Sequence, residues 1–356
     1  MDALRSLDLI DRPHPPAPGS DAGCYKEWYH FNVLDAGGLD IIFNLSLNGD
    51  IGRPGEGEAK AILLASRAGS GWNGGIEVFD GAAVEMARDT TDLRVGGNSI
   101  RCREGRYQLK AVLDDPPIEL EAELVAQVAP MLIWNDTPFA GGHINWLLVP
   151  ALAASGRLVA EGRPVAIPQA RAYHDHNWGF WRWGEDFGWI WGFSTSAEAP
   201  AGEALTIVFS RTTDREGSVV KEHTVALWRG PALLKLFTRR AVRFQRLGAF
   251  SGGPVRRIPG VMNLLRQGEA TRIPETLLIT AADGDGWLEA ELRIDSAIQI
   301  AVPGDLGFGV AEINESFGTL NLRGSLRGSR WPSPPVRASN SWGERPWKSP
   351  IPLPRP

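Results

Sequence analysis

The chain has 356 residues, of which 43% are apolar and 22% charged, a balance that suits a globular protein with room for two separately packed cores. Its net charge of −5 argues against a general nucleic-acid binder, which needs a basic footprint. With 41 Gly and 26 Pro but only 4 Met, it promises tight turns and short strands rather than long helices.

Residues 1–22 read as an extended, Pro-rich lead-in without the apolar stretch of a secretory signal. No apolar run approaches the ~20 residues of a membrane span. Cys24 and Cys102 read as reduced thiols rather than a disulfide. The expectation is a soluble, cytoplasmic protein. Structure begins at Glu27–Val33, which alternates like a half-buried strand, turns at Gly37-Gly38 and returns over Leu39–Leu47. Strand-like runs follow at Lys60–Ser66, Gly75–Phe79, Ala83–Met86, Leu93–Val95, Ser99–Arg103, Tyr107–Leu113, Ile118–Val125, His143–Val149 and Gly162–Ile167, each bounded by turn residues. A second series runs through Trp189–Ser194, Ala204–Arg211, Val219–Trp228, Glu275–Ala281, Trp287–Ser296, Ile298–Val302 and Gly318–Leu326. This spacing predicts antiparallel sandwiches or barrels in two successive all-β units joined near residues 180–200. Pro231–Phe237 and Val261–Gln267 are the two segments expected to be short helices, and the Pro-rich tail from Arg330 is expected to be irregular.

Between Arg229 and Arg272 stand ten basic residues and one acid, Glu269, with Leu233, Leu234, Leu236, Phe237, Phe244, Leu247 and Phe250 among them. One reading is a solvated face balanced elsewhere. The other is peripheral association with an anionic membrane through residues 229–272.

The densest chemistry lies in Ala172–Gly192, AYHDHNWGFWRWGEDFGWIWG, which carries Trp178, Trp181, Trp183, Trp189 and Trp191 beside acids and histidines. So much indole is unfavourable in water, and Asp and His are rarely buried alone. As a strand, 173–178 puts Tyr173, Asp175 and Asn177 on one face and His174, His176 and Trp178 on the other. Among indoles the Asp175 carboxyl loses solvation, which raises its pKa and lets it stay protonated as a proton donor. Protonating an alkene gives a carbocation, which Trp and Tyr faces stabilise without attacking. Tyr173 and Asn177 can orient the acid. The plainer alternative pairs Asp175 with Arg171 or Arg182.

A weaker alternative uses His174 and His176 as an H-x-H metal pair with His143, Glu185 or Asp186 as third ligand. No Cys cluster supports it, and no metal is expected. Glu27 is either another acid among aromatics, beside Trp28 and Tyr29, or a strand-edge residue, while Glu312 and Glu315 read as surface charge. The chain has no G-x-x-x-x-G-K-[ST], no G-x-G-x-x-G between a strand and a helix, and no G-x-S-x-G. The expected chemistry therefore uses no cofactor.

Tyr173-His174-Asp175-His176-Asn177-Trp178-Gly179 resembles the signature of the carotenoid 1,2-hydratases (hydroxyneurosporene synthases) and of the AttH-type lipocalin-like proteins. Glu27-Trp28-Tyr29 resembles their N-terminal signature, with Tyr29 in place of a second Trp, and the segment from Gly318 resembles their closing strand. The resemblance spans roughly residues 25–328. It implies an all-β fold of two calycin- or lipocalin-like antiparallel β-barrel domains packed together, here 23–185 and 186–328, between a lead-in of 1–22 and a tail of 329–356. It also implies that Asp175 protonates a terminal isoprenoid double bond, with Tyr173, His143 and Trp146 at the catalytic positions.

The leading expectation is thus a cofactor-independent enzyme that protonates a C=C bond of a hydrophobic isoprenoid or polyene substrate. Trp28, Asn177, Trp178, Trp181, Trp183, Trp189 and Trp191 would line its site. Hydration and cyclisation both remain open. The alternatives are a Diels–Alderase-type pericyclic cyclase and a non-catalytic carrier of hydrophobic small molecules.

Overall fold

A computed structural model describes residues 3–17, 21–53, 55–67, 71–139, 141–196, 203–215, 217–259, 273–305, 310–332 and 335–344. The fold is all-β. One sheet holds β1 (Tyr25–Asp35), β2 (Leu39–Gly49), β3 (Gly57–Arg67), β4 (Gly71–Asp80), β5 (Val84–Met86), β6 (Asp92–Val95), β7 (Asn98–Arg103), β8 (Arg106–Asp114), β9 (Pro117–Ala126), β10 (Met131–Phe139), β11 (Gly142–Ala160) and β12 (Arg163–Phe180). Its order is β4-β3-β2-β1-β12-β11-β9-β8-β7-β6-β5, with β10 alongside β11. The β4 edge curls back toward the far strands, so that the Asp114 amide donates to Glu77 Oε1 at 2.5 Å and the barrel nearly closes. Gly96 shows how tight this is: its φ is +57°, and a Cβ there would lie 2.7 Å from the Phe79 ring.

Much of the barrel interior is apolar, with Phe31, Val33, Phe43, Leu45, Leu63, Leu109, Leu120 and Leu124 in one cluster. The outer strands β8 and β9 alternate buried and exposed, whereas β1, β2 and the second half of β12 are buried on both faces. A strand covered on both sides carries a second, outward face that is also shielded from water. That is where polar residues gain chemical interest.

The second sheet holds β13 (Gly188–Thr195), β14 (Leu205–Thr213), β15 (Val220–Arg229), β16 (Ala232–Thr238), β17 (Val242–Leu247), β18 (Arg256–Ile258), β19 (Thr276–Asp283), β20 (Gly286–Pro303), β21 (Val310–Leu326), β22 (Ser329–Pro332) and β23 (Val336–Glu344). Its order is β16-β15-β14-β13-β23-β21-β20-β19-β17; β18 runs parallel to β20, and β22 pairs with β21. Two compact units result. The first comprises residues 1–181, 193–208 and 226–236, and the second 182–192, 209–225 and 237–356. The first therefore borrows the ends of several strands of the second sheet.

Three expectations change. The Pro-rich lead-in carries a helical turn, α1 (Leu7–Ile10), and buries Leu7 and Asp11 completely. Residues 231–237 form most of strand β16 rather than a helix; a short apolar run does not distinguish the two by periodicity. The tail is not irregular throughout, because β23 pairs with β21 from Glu344↔Glu312 to Val336↔Leu320. The β23 segment itself contains no proline, so its residues can supply every ladder N–H. The segment 261–267 lies outside the described residues. Cys24 and Cys102 are free thiols.

Candidate active site

Strand β12 lies between β1 and β11, and its register sorts the signature residues by face. Trp28 stands opposite Asn177, His30 opposite Asp175, and Asn32 opposite Tyr173. On the other side Trp146 stands opposite Asn177. Near its end the strand approaches β11 closely at Gly179, where a Cβ would sit 2.2 Å from the His143 carbonyl oxygen.

The inner face holds a sealed network of charge. His176 Nδ1 meets Asp11 Oδ1 at 2.9 Å and its Nε2 meets Glu27 Oε1 at 2.8 Å. His174 Nε2 meets Asp11 Oδ2 at 2.9 Å, while its Nδ1 lies 3.0 Å from the His30 carbonyl. Both carboxylates draw further donors. Tyr107 donates to Asp11 at 2.7 Å, and Tyr25 and the His14 amide donate to Glu27 at 2.5 and 2.7 Å. Burial alone would strip the proton from His176, but its hydrogen bonds to Asp11 and Glu27 push it up to about 9. Burial likewise opposes an ionised Asp11, yet the two histidines hold that acid well below the usual carboxylate range. Tyr29 stacks on His176 and Phe31 on His174, with centroids 3.9 and 4.0 Å apart.

The outer face carries Asp175, only 5% exposed. Tyr173 Oη donates to its Oδ2 at 3.0 Å and Asn177 Nδ2 to its Oδ1 at 2.9 Å. The indole N–H groups of Trp146 and Trp28 also donate to it. Burial dominates. It outweighs the electrostatic pull of His174 on the far face and the hydrogen bonds from Tyr173, Trp146 and Trp28, and raises the acid to about 6. The opposite neighbour, His30, is held neutral because burial lowers it to about 4, so it adds no cation to pull the acid down. Among the described residues no Arg or Lys pairs with Asp175. Arg182 binds Asp186 at 2.9 Å and Arg171 donates to the Thr195 carbonyl. Phe193 stacks on Tyr173 at 4.6 Å.

Of the residues singled out from sequence, the structure brings Asp175, Tyr173, Asn177, Trp146 and Trp28 together, with Trp181 edge-on to Trp28 at 5.2 Å. It does not bring His143 to them. That side chain is 39% exposed at the strand end, with Nε2 3.8 Å from Asp136, because its register partner is Phe180 on the other face. Trp178 also belongs to the inner face, stacked on His14 at 4.0 Å. Trp183, Trp189 and Trp191 fall in the second compact unit, where Trp183 and Trp189 pack at 5.6 Å. For the metal alternative, the His174 and His176 rings are already committed to Asp11, Glu27 and a carbonyl. Among the described residues no His, Cys, Asp or Glu group forms a metal cluster. Glu27 is completely buried on the inner face and not a strand-edge residue. Glu312 and Glu315 are buried, not surface charge, and Gln299 donates to Glu312 at 3.3 Å.

Sequence reasoning missed Asp11, His14, His30, Asn32, Asn44 and Ser46. Asp11 and His14 sit in a segment whose prolines suggested a loose arm, and no local pattern announces their burial. The other four were legible, since polar residues alternating with Phe31, Val33, Phe43 and Leu45 mark one face of each strand.

No family model matches the sequence, and no curated protein matches it. Solved structures do match in fold. A candidate AttH from Nitrosomonas europaea is 14% identical, with 93% of this chain and 99% of that one covered at a TM-score of 0.62. Kievitone hydratase from Nectria haematococca is 13% identical, with coverages of 95% and 94% and a TM-score of 0.54. CghA, solved with Sch210972, is 13% identical, with 96% of each chain covered and a TM-score of 0.53. At such identity the likeness establishes a shared two-part all-β fold.

Proposed function

We propose that this protein is a cofactor-independent enzyme whose Asp175 protonates a C=C bond of a largely hydrophobic, isoprenoid-type substrate. One arrangement carries the reading: a carboxyl whose burial raises it to about 6, surrounded by four neutral donors and, among the described residues, without an Arg or Lys partner. Such an acid keeps about a tenth of its population protonated at pH 7. Transfer of its proton forms a C–H bond, breaks the π bond and leaves a carbocation and a carboxylate. Water can capture the cation and return a proton to Asp175, giving hydration. Alternatively a second double bond attacks it and the resulting ring cation gives a proton back to the Asp175 carboxylate, giving cyclisation. Trp28, Trp146 and Trp181 supply aromatic surface beside the acid. Kievitone hydratase, a neighbour in fold, bears a hydratase name, in keeping with the first outcome.

The test is incubation with linear polyenes in deuterated water. Wild type should introduce one non-exchangeable deuterium per product, and Asp175→Asn should abolish both turnover and label. Product formed by Asp175→Asn at the wild-type rate, without deuterium, would instead favour the pericyclic alternative. Unaltered ligand with no turnover would favour a carrier.

A peripheral membrane association is proposed on separate grounds. Strand β16 exposes Leu233, Leu234 and Leu236 by 46%, 36% and 38%, and Arg239, Arg240 and Arg243 follow it in the chain. Leucines entering the interface and arginines facing anionic headgroups, at ~1 kcal/mol each, should make the protein sediment with phosphatidylserine vesicles but not with neutral ones. Equal sedimentation with both, or with neither, removes the proposal.

A further inference from the structure

The outer face of β12 is more polar than a hydrocarbon substrate requires. Beside Asp175 it carries His30, Asn32, Asn44, Ser46, Tyr173 and Asn177 across three neighbouring strands. Most of these satisfy one another. Ser46 donates to Asn44, Asn177 and Tyr173 donate to Asp175, and His30 Nε2 lies 2.9 Å from Asn32 Oδ1. The exception is the Asn32 amide nitrogen. Asn32 is completely buried, its oxygen is taken by His30, and its Nδ2 has no hydrogen-bond partner. An unsatisfied buried donor costs about 1–3 kcal/mol, and native proteins rarely keep one without a purpose. Register places Asn32 opposite Tyr173 and one row from the His30–Asp175 pair, so its side chain starts roughly 7–8 Å from that of Asp175 on the same face.

From this we infer that Asn32 is a substrate-binding residue, and that the substrate is an oxygenated polyene rather than a pure hydrocarbon. The amide donates to a carbonyl, hydroxyl or ether oxygen of the molecule whose double bond lies at Asp175. This rests on the proposed site and narrows its substrate class. A hydrocarbon would bury the Asn32 N–H groups without an acceptor, whereas an oxygen at that distance satisfies them and fixes which double bond meets the acid. A site built to hydrogen-bond an oxygen rejects the analogue that lacks it, because its own polar group is then left unpaired.

The test compares equilibrium binding of geranylacetone with that of its matched hydrocarbon, in which CH2 replaces the carbonyl, by quenching of tryptophan fluorescence. Wild type should bind the ketone about tenfold more tightly after correction for water–alkane partitioning. Asn32→Leu should bring the ratio to about one while leaving hydrocarbon affinity within about twofold, and Asn32→Ala serves if the leucine variant does not fold. Equal affinities in wild type, a preference that survives Asn32 replacement, or failure of both probes to bind up to their solubility would overturn the assignment. Binding does not depend on proton transfer. A ketone preference in wild type and Asp175→Asn alike, with no deuterium incorporation, would sink the catalytic reading and leave this one standing; turnover without the preference would do the reverse.

Discussion

The two faces of strand β12 share a backbone and a depth of burial, yet they hold their ionisable groups in opposite ways. Inside the barrel, Asp11 and Glu27 face His174 and His176, and the aromatic rings of Tyr29 and Phe31 close over them. Burial opposes the ionised forms there as well, but partners of opposite charge outweigh it: Asp11 goes down and His176 up to about 9. One residue along, Asp175 receives comparable hydrogen bonds but only from neutral donors, and its acid rises to about 6. Burial is common to both. The counter-charge decides whether it produces a fixed ion pair or a transferable proton.

The largest effect expected from breaking this contrast is on catalysis. Asp175→Asn keeps the shape of the outer face and removes its proton, so turnover should fall by roughly 10²–10⁴ in steady-state kinetics, with the fold intact by circular dichroism. On the inner face the comparable loss is of stability. Asp11→Ala leaves two buried histidines without their shared carboxylate and should cost about 3–5 kcal/mol, read from urea unfolding midpoints.

The pH dependence sharpens the same comparison because the faces act with opposite sign. His176, raised above an unfolded value near ~6.5, contributes stability that is complete below that pH and lost as pH rises through about 9. Asp11, lowered, contributes stability that is complete above ~3.9 and lost as pH falls. Asp175 is a raised acid, so its penalty is absent below ~3.9 and complete above about 6. Asp175→Asn should therefore stabilise the protein at pH 7 by up to about 3 kcal/mol and leave it unchanged at pH 4. A stabilisation equal at both pH values would show that the folded-state acid is not raised. In wild type, kcat/KM should fall as pH rises through about 6.

How far the sequence discloses this arrangement follows from the range of each signal. Period-two alternation is local, and it reveals β1, β2, β8, β9 and the split of Tyr173–Trp178 into two faces. Long strands with a bulge are harder. Trp287–Ser296 and Ile298–Val302 are one strand, β20, whose register slips between Ile294 and Ser296. The acid and its two sequence neighbours of like parity were legible, and so was the acid's elevated pKa, because crowding by indole implies desolvation. The partners of His174 and His176 were not. They come from a segment 163 and 165 residues away, at Asp11, where the prolines of the lead-in hide a plug held by long-range pairing. His143 shows the limit of sequence adjacency: it stands close to Trp146 in the chain, while its register puts it on the other face.

The finest probe of the contrast leaves Asp175 in place and alters only what touches it. Tyr173→Phe removes a hydroxyl 3.0 Å from Oδ2 without opening the face, because the ring still packs on Phe193 at 4.6 Å. That hydroxyl stabilises the carboxylate more than the acid, so its loss should move the alkaline limb of the kcat/KM profile upward, by about half a pH unit to one unit. At pH 7 the variant then holds more protonated acid than wild type. Its rate should be equal or higher there, while the ceiling at low pH stays the same if Tyr173 acts through the carboxyl alone. A profile whose midpoint does not move but whose ceiling drops would make Tyr173 a group that touches the reacting atoms. The neutral outer face would then be tuned by its indoles, Trp28 and Trp146, and not by its phenol.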